Sequence, residues 1–381
     1  MRGRLARPPA LLVALLAALL TPAALGGDCN GNGVDDAEDV AQGTSADCDG
    51  DQTPDECDVA PLAYVPRGSE LATSEKPIAI ASGDLDHDGG IDVVVANFTA
   101  DTISVFTNDG DGELRAATEL PAADGPVALA VADVDGDSHL DIIVTATSAH
   151  RLAWYAGAGD GSFKSPHELE ALRSPRALVV EDLDGDGDLD LATSGAGSQD
   201  VSCFRNAGGG VFEPPAKAGV GRSPLAIAAA DLDGDGRREL AVANLTGGTV
   251  SIVRRLGDWS FAESARLSTG NGPAAIDAAD ADGDSDADLF VANGASKTLS
   301  LELNDGTGAF PSRRVVPTPV SAASLTTVDL DGDLDLDVLF ADRAGAFDAV
   351  RSCRMLPGGL LREPETLFET TAPAPPHAAD L

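Results

Sequence analysis

Hydrophobic and polar positions along this chain follow the rhythm of short strands. The stretch VALAVAD from Val127 alternates between apolar and small residues, LDIIVTAT from Leu140 is nearly continuous in apolar and β-branched residues, and TISVFTN from Thr102 alternates again. Each such run is four to eight residues long and bounded by Asp, Gly, Asn or Pro, which is the pattern of strands. No stretch of the repeated region carries the three-to-four spacing of an amphipathic helix.

The runs recur with a fixed period. Acidic segments begin at Asp84, Asp133, Asp182, Asp231, Asp280 and Asp329, each 49 residues after the last. A proline precedes the first five by seven residues, at Pro77, Pro126, Pro175, Pro224 and Pro273. A bulky apolar residue follows 30 residues after the same five starts, at Leu114, Phe163, Phe212, Phe261 and Phe310, and the sixth copy reaches its equivalent, Leu361, two residues late. Spacing without drift identifies one supersecondary unit in tandem. Within a unit, one strand precedes the acidic segment, two follow it, and a Gly-rich turn leads to a fourth. Four strands per unit of this length predict an all-β chain folded as a β-propeller, in which each small twisted sheet hides its faces against its neighbours.

The phase suggests more than six complete four-stranded blades. Residues 64–73 resemble a blade's fourth strand, and APAPPHAADL at the C-terminus resembles the approach to another acidic segment, with Asp380 as its first carboxylate. The expected plan is seven-bladed with an incomplete closing blade; a six-bladed ring with a spare strand is the alternative.

The acidic segments read D-x-D-x-D-G-x-x-D. Carboxylates at positions one, three, five and nine, with the backbone carbonyl at seven, can wrap one cation, and glycine at six permits the tight turn. The predicted ligands are Asp84, Asp86, Asp88, Asp92 and the Gly90 carbonyl in the first loop, and Asp133, Asp135, Asp137, Asp141 and the His139 carbonyl in the second. Asp182, Asp184, Asp186, Asp190 and the Asp188 carbonyl serve the third, while Asp231, Asp233, Asp235, Glu239 and the Arg237 carbonyl serve the fourth. The fifth uses Asp280, Asp282, Asp284, Asp288 and the Asp286 carbonyl, and the sixth Asp329, Asp331, Asp333, Asp337 and the Asp335 carbonyl. So many carboxylates in one loop repel one another unless a divalent ion neutralises them, and hard oxygen donors select Ca2+. Position six is Ser138, Ser285 and Leu334 in the second, fifth and sixth copies, and the branched Leu334 makes the sixth the weakest expected site.

Charge and composition fit this picture. The chain has 381 residues, 63 acidic and 25 basic, for a net charge of −38, which disfavours nucleic acid and anionic membranes as partners. Hydrophobic residues make up 43%, more than a disordered acidic chain carries. Residues 1–26 read as a secretory signal peptide, with Arg2, Arg4 and Arg7 before an apolar run too short to span a membrane. No second apolar segment is present, so a secreted, extracellular or cell-surface location is expected. Residues 27–60 carry a shorter duplication of period 19. Read as EF-hand-like calcium loops, its ligands are Asp28, Asn30, Asn32, Asp36 and Asp39, then Asp47, Asp49, Asp51, Asp55 and Asp58, in a small loop-rich segment. Of the five cysteines, Cys29, Cys48 and Cys57 suggest one bridge of open pairing, and Cys203 and Cys353 read as small buried apolar residues.

The segment DLDGDGDLDLATS and its siblings, with the preceding GPVALAV or GPAAIDA and the following DGSF or GTGAF, resemble FG-GAP repeats, also grouped as VCBS-type repeats and similar to the blades of the integrin α-subunit propeller. The resemblance covers residues 61–381 and implies calcium on the blade loops and extracellular adhesion or recognition. Residues 28–58 resemble thrombospondin type 3 repeats or a dockerin. The expected function is therefore a non-catalytic, calcium-binding scaffold recognising an extracellular protein or polysaccharide. A carbohydrate-active protein, either a lectin or a propeller like those in some polysaccharide lyases, is the alternative. Its aromatic candidates are Trp154, Tyr155 and Trp259. The histidines His87, His139, His150, His167 and His377 are scattered, and no nucleophile elbow, HExxH or phosphate loop occurs, so no enzyme activity is expected.

Overall fold

A computed structural model describes residues 73–369, except 111–112, 172, 331–335, 343–348, 354, 357–359 and 362–363. The N-terminal calcium-loop pair, the signal segment, Asp380 and all but Thr73 of the expected leading strand lie outside the described residues.

Every strand pair in the repeat is an antiparallel neighbour, so each copy folds as a four-stranded meander. The first blade comprises β1 (Pro77–Gly83), β2 (Asp92–Asn97), β3 (Thr102–Phe106) and β4 (Thr118–Pro121). The second has β5 (Pro126–Ala132), β6 (Asp141–Ala146), β7 (Arg151–Tyr155) and β8 (His167–Glu170), and the third β9 (Pro175–Glu181), β10 (Asp190–Gly195), β11 (Asp200–Phe204) and β12 (Ala216–Gly219). The fourth has β13 (Pro224–Ala230), β14 (Glu239–Asn244), β15 (Thr249–Arg255) and β16 (Phe261–Ser268), and the fifth β17 (Pro273–Ala279), β18 (Asp288–Asn293), β19 (Thr298–Leu303) and β20 (Ser312–Pro317). In the sixth, β21 (Ala322–Val328), β22 (Asp337–Asp342) and β23 (Ala349–Cys353) are joined by β26 (Glu365–Glu369), with the small pair β24 (Met355–Leu356) and β25 (Leu360–Leu361) inserted between. The fold is an all-β propeller of six four-stranded blades, and no helix occurs among the described residues.

The phased prolines each open a first strand, where a missing N–H costs the ladder least, and the register shifts immediately after them, as between Pro126 and Ala128. The two-residue offset of the sixth copy lies in the connection between β22 and β23. Ala341 pairs with Val350 there, whereas Ala292 pairs with Leu299 in the fifth blade. Leu361 then pairs with Met355, as Leu114 pairs with Asn108 and Phe163 with Gly157.

First strands pack successively, β1 on β5, β5 on β9, β9 on β13, β13 on β17 and β17 on β21. Second strands are the core, with all six residues buried in β2, β6, β10, β14 and β18. Their alternate side chains face opposite neighbours, as strand pleating requires. Ile142 and Val144 pack with Val94 and Ile103 of the preceding blade, whereas Ile143 packs with Leu191 and Phe204 of the following one. The same layering continues through Leu240 and Val242 against Ala192, Leu289 and Val291 against Ala241, and Val338 and Phe340 against Phe290. Burial of each such side chain contributes about 1.5–3 kcal/mol. Cys203 and Cys353 are free thiols buried in these layers.

Candidate metal centres

Each acidic loop joins the first strand of its blade to the second. Its second residue is an apolar plug, Leu85, Val134, Leu183, Leu232, Ala281 or Leu330, buried beneath the turn. The ninth residue opens the wholly buried second strand, so its carboxylate is buried too: Asp92, Asp141 and Asp190 are 0% exposed, and Asp288 and Asp337 1%.

That buried carboxylate staples the loop. One oxygen accepts the N–H of the plug residue, at 2.8 Å for Leu85 and 2.9 Å for Val134, Leu183 and Ala281. The other accepts an N–H just beyond the third strand, at 2.7 Å from Asn108 and 2.8 Å from Gly157, Asn206 and Asn304. In the sixth blade the donor is Met355, two residues further on, at 3.0 Å. Glu239 keeps the first bond, to Leu232 at 3.0 Å.

The turn above is closed by its own carboxylates. Where the position-four bond forms, the first-position carboxylate accepts N–H groups from positions four and six, as Asp182 does from Gly185 at 2.7 Å and Gly187 at 3.0 Å. One oxygen of the fifth-position carboxylate accepts the N–H of position seven: Asp88 from Gly90, Asp137 from His139, Asp186 from Asp188, Asp235 from Arg237 and Asp284 from Asp286. Position six is left-handed in the first five loops, as predicted, with φ of 71° at Ser138 and 74° at Ser285 where the first, third and fourth copies use glycine. Position four is left-handed as well, which the sequence reading missed, although the glycines Gly136, Gly185, Gly234 and Gly283 signalled it. His87 takes that conformation in the first loop, with φ of 61°.

Of the predicted ligands, positions one, three and nine converge. Asp84, Asp86 and Asp92 each offer an oxygen within 4.8 Å of the others, as do Asp133, Asp135 and Asp141; Asp182, Asp184 and Asp190; Asp231, Asp233 and Glu239; and Asp280, Asp282 and Asp288. The fifth-position carboxylates stay outside these groups and are exposed. Residues 331–335 of the sixth loop, with Asp331, Asp333, Leu334 and Asp335, lie outside the described residues.

A self-capped turn has no need to bring three carboxylates together beside a buried strand. Desolvation, the largest cause, raises the pKa of Asp92, Asp141 and Glu239, and lifts that of Asp190 to about 7 and Asp288 to about 6; backbone N–H bonds oppose it and neighbouring carboxylates add to it. Asp84 Oδ1 and Asp282 Oδ1 are buried without a hydrogen-bond partner. Three oxygens no more than 4.8 Å apart can share one ion with bonds near 2.4 Å, within the range for calcium. The donor set and the orphaned oxygens therefore suit a hard divalent cation.

Sequence reading also missed two kinds of wall around these loops. The first comes from the following blade. Asn206 Nδ2 donates to the Val134 carbonyl at 2.7 Å, Arg255 Nη2 to the Asp184 carbonyl at 3.2 Å, Asn304 Nδ2 to the Leu232 carbonyl at 2.9 Å, and the Gly161 N–H to the Leu85 carbonyl at 3.3 Å. The second is basic. Arg205 Nε lies 2.7 Å from Asp184 Oδ2 and its Nη2 3.3 Å from Asp186 Oδ2, while Arg254 is paired with Asp233 and lies 3.9 Å from Glu239.

The aromatic candidates are packing residues. Trp154 is 4% exposed and stacks on His167 with ring centroids 4.6 Å apart, and Tyr155 is buried with its hydroxyl donating to the Pro121 carbonyl. Trp259 packs edge-on against Phe261 and donates to the Cys203 carbonyl. Of the histidines, His87 and His139 meet at 2.9 Å across two blades, and His377 lies outside the described residues.

A family model described as an FG-GAP-like repeat matches residues 84–144, 141–193, 182–242, 231–291 and 280–340; four of these matches run from one acidic loop into the second strand of the next blade, and 141–193 runs from one second strand into the next. A search of curated proteins gives no significant match. Solved structures resemble the fold at low identity. A protein from Lactobacillus plantarum aligns with TM-score 0.59 and 15% identity over 78% of this chain and 86% of its own. BBS1N, crystallised in complex with ARL6DN and soaked with lead, gives 0.56 and 14% over 78% and 83%. A functionally unknown protein from Desulfotomaculum acetoxidans gives 0.52 and 16% over 72% and 78%.

Proposed function

Because the chain belongs to the FG-GAP-like repeat family, we propose that it is an exported, calcium-dependent propeller acting as a non-catalytic scaffold that recognises an extracellular protein or polysaccharide. The observation that carries the reading is the repeated convergence of three carboxylates, one of them buried, at the same turn of five blades. A buried carboxylate next to two others is costly until a divalent ion sits between them, so binding energy becomes folding energy. Calcium supplies that charge with oxygen coordination and tolerates the differences among the loops. The turns are thereby fixed on one side of every blade, and a set of fixed loops on a rigid ring is a recognition surface. The packed Trp154 and Tyr155 supply no stacking platform for sugar rings, which favours recognition through the loops.

Thermal unfolding of the purified chain, followed by far-ultraviolet circular dichroism in millimolar calcium, magnesium or chelator, tests the metal reading. Saturation at 100 times Kd adds about 2.7 kcal/mol per site, so calcium is expected to raise Tm by many degrees and magnesium by much less. An equal Tm in calcium and chelator sinks the proposal. Capture from the native surface with and without chelator then tests recognition, and capture that chelation does not weaken would overturn the scaffold role.

A further inference from the structure

The five described carboxylate groups differ in what stands beside them. Twenty-three residues after each loop start, at or just beyond the end of the third strand, stand Thr107, Ala156, Arg205, Arg254 and Leu303 in the successive blades. In the third and fourth blades the arginine reaches the third-position carboxylate of its own loop. Both carboxylates are shielded, while the arginines are not: the Asp184 side chain is 3% exposed and that of Asp233 9%, against 39% and 41% for Arg205 and Arg254. The guanidinium of Arg205 also touches Asp186, and that of Arg254 lies near Glu239, so each cation faces two acids of one loop. By contrast, the orphaned oxygens belong to Asp84 and Asp282, in loops with Thr107 and Leu303 at the matching position.

We infer that Arg205 and Arg254 serve as tethered cations for the third and fourth loops, so that the propeller carries two classes of metal loop, open in the first, second and fifth blades and self-neutralised in the third and fourth. The inference rests on the calcium reading above. A guanidinium on a ligand oxygen competes with the ion for that oxygen and repels it. A unit charge about 5 Å from a divalent ion weakens its binding roughly tenfold even in a water-like dielectric. The third and fourth loops then keep their shape at low calcium, while the others depend on the ion.

Isothermal titration of the full chain with calcium alone distinguishes the possibilities. Arg205→Met with Arg254→Met is expected to move two sites into the tight class, each strengthened by roughly tenfold or more. The same variant is expected to melt below the parent in chelator and to regain its Tm in calcium. Asp184→Asn and Asp233→Asn, which leave the arginines in place, are expected to keep the number of tight sites, whereas Asp86→Asn and Asp135→Asn each remove one. Loss of a tight site in Asp184→Asn or Asp233→Asn overturns the inference, as does a folded double Met variant with unaltered calcium binding. A parent chain that binds no calcium refutes the calcium reading itself, which is a different result from either.

Discussion

In chelator this propeller is expected to show a pH dependence opposite to that of most acidic pairs. Asp190 and Asp288 are 0% and 1% exposed, and desolvation lifts them to about 7 and about 6 from an ordinary 3.8. A carboxyl group with a raised pKa in the fold binds its proton more tightly there than in the unfolded chain. Its contribution to stability is complete below the unfolded value near 3.8 and is lost as pH rises through the folded one. Between pH 5 and 8 the two groups forfeit about 2.7 and about 1.4 kcal/mol respectively, about 4 kcal/mol together. At about 2 °C per kcal/mol for a chain of this size, Tm in chelator falls by about 8 °C over that interval. Under the calcium proposal, saturating calcium is expected to hold the carboxylates ionised and remove the slope. The assay is a series of melts at constant ionic strength in chelator and in saturating calcium, repeated on Asp190→Asn with Asp288→Asn. A chelated Tm that stays level or rises from pH 5 to 8 would refute the reasoning, and so would a double Asn variant with the parent's slope.

Two further outcomes follow from the packing. Gly185 has φ of +80° and open space around it, so Gly185→Ala is expected to cost about 1 kcal/mol in urea denaturation. A Cβ on Gly157 would sit 2.3 Å from the Leu140 carbonyl oxygen, and Gly157→Ala is expected to cost about 3 kcal/mol, so equal losses would contradict the loop geometry. Burial pushes the Cys353 thiol up to about 12 and the Cys203 thiol higher still. Alkylation at pH 8 with peptide mapping should leave both unlabelled in the native chain and label both in denaturant; native labelling would show that these layers open readily.

Much of the architecture was legible because tandem copies reveal their own phase. The prolines marked first strands, the acidic segments marked the first turn, and the late position of Leu361 placed the sixth blade's offset before it paired with Met355. The convergence of positions one, three and nine follows from the ninth residue opening a buried strand, and strand burial was readable from LDIIVTAT and its siblings. Positions five and seven bond to each other, a detail of turn geometry that ligand spacing does not encode. The arginines were hidden for another reason. Arg205 lies just beyond the third strand of its blade and Arg254 near the end of its own, and only the register of that strand against the second brings them over the loop. Walls from the following blade, such as Asn206 on Val134, join residues 72 apart and appear only when the order of blades in space is known.

Those walls mean that none of the first four blades owns the whole of its acidic loop. The carboxylates come from one copy, and the anchor on the plug or on the turn's own backbone comes from the next, through Gly161, Asn206, Arg255 and Asn304 in turn. The unit that is copied along the chain and the unit that walls an acidic loop are therefore out of step by one blade. A repeat transplanted alone would arrive with its acids and leave its lid behind, and the smallest transferable module is a pair.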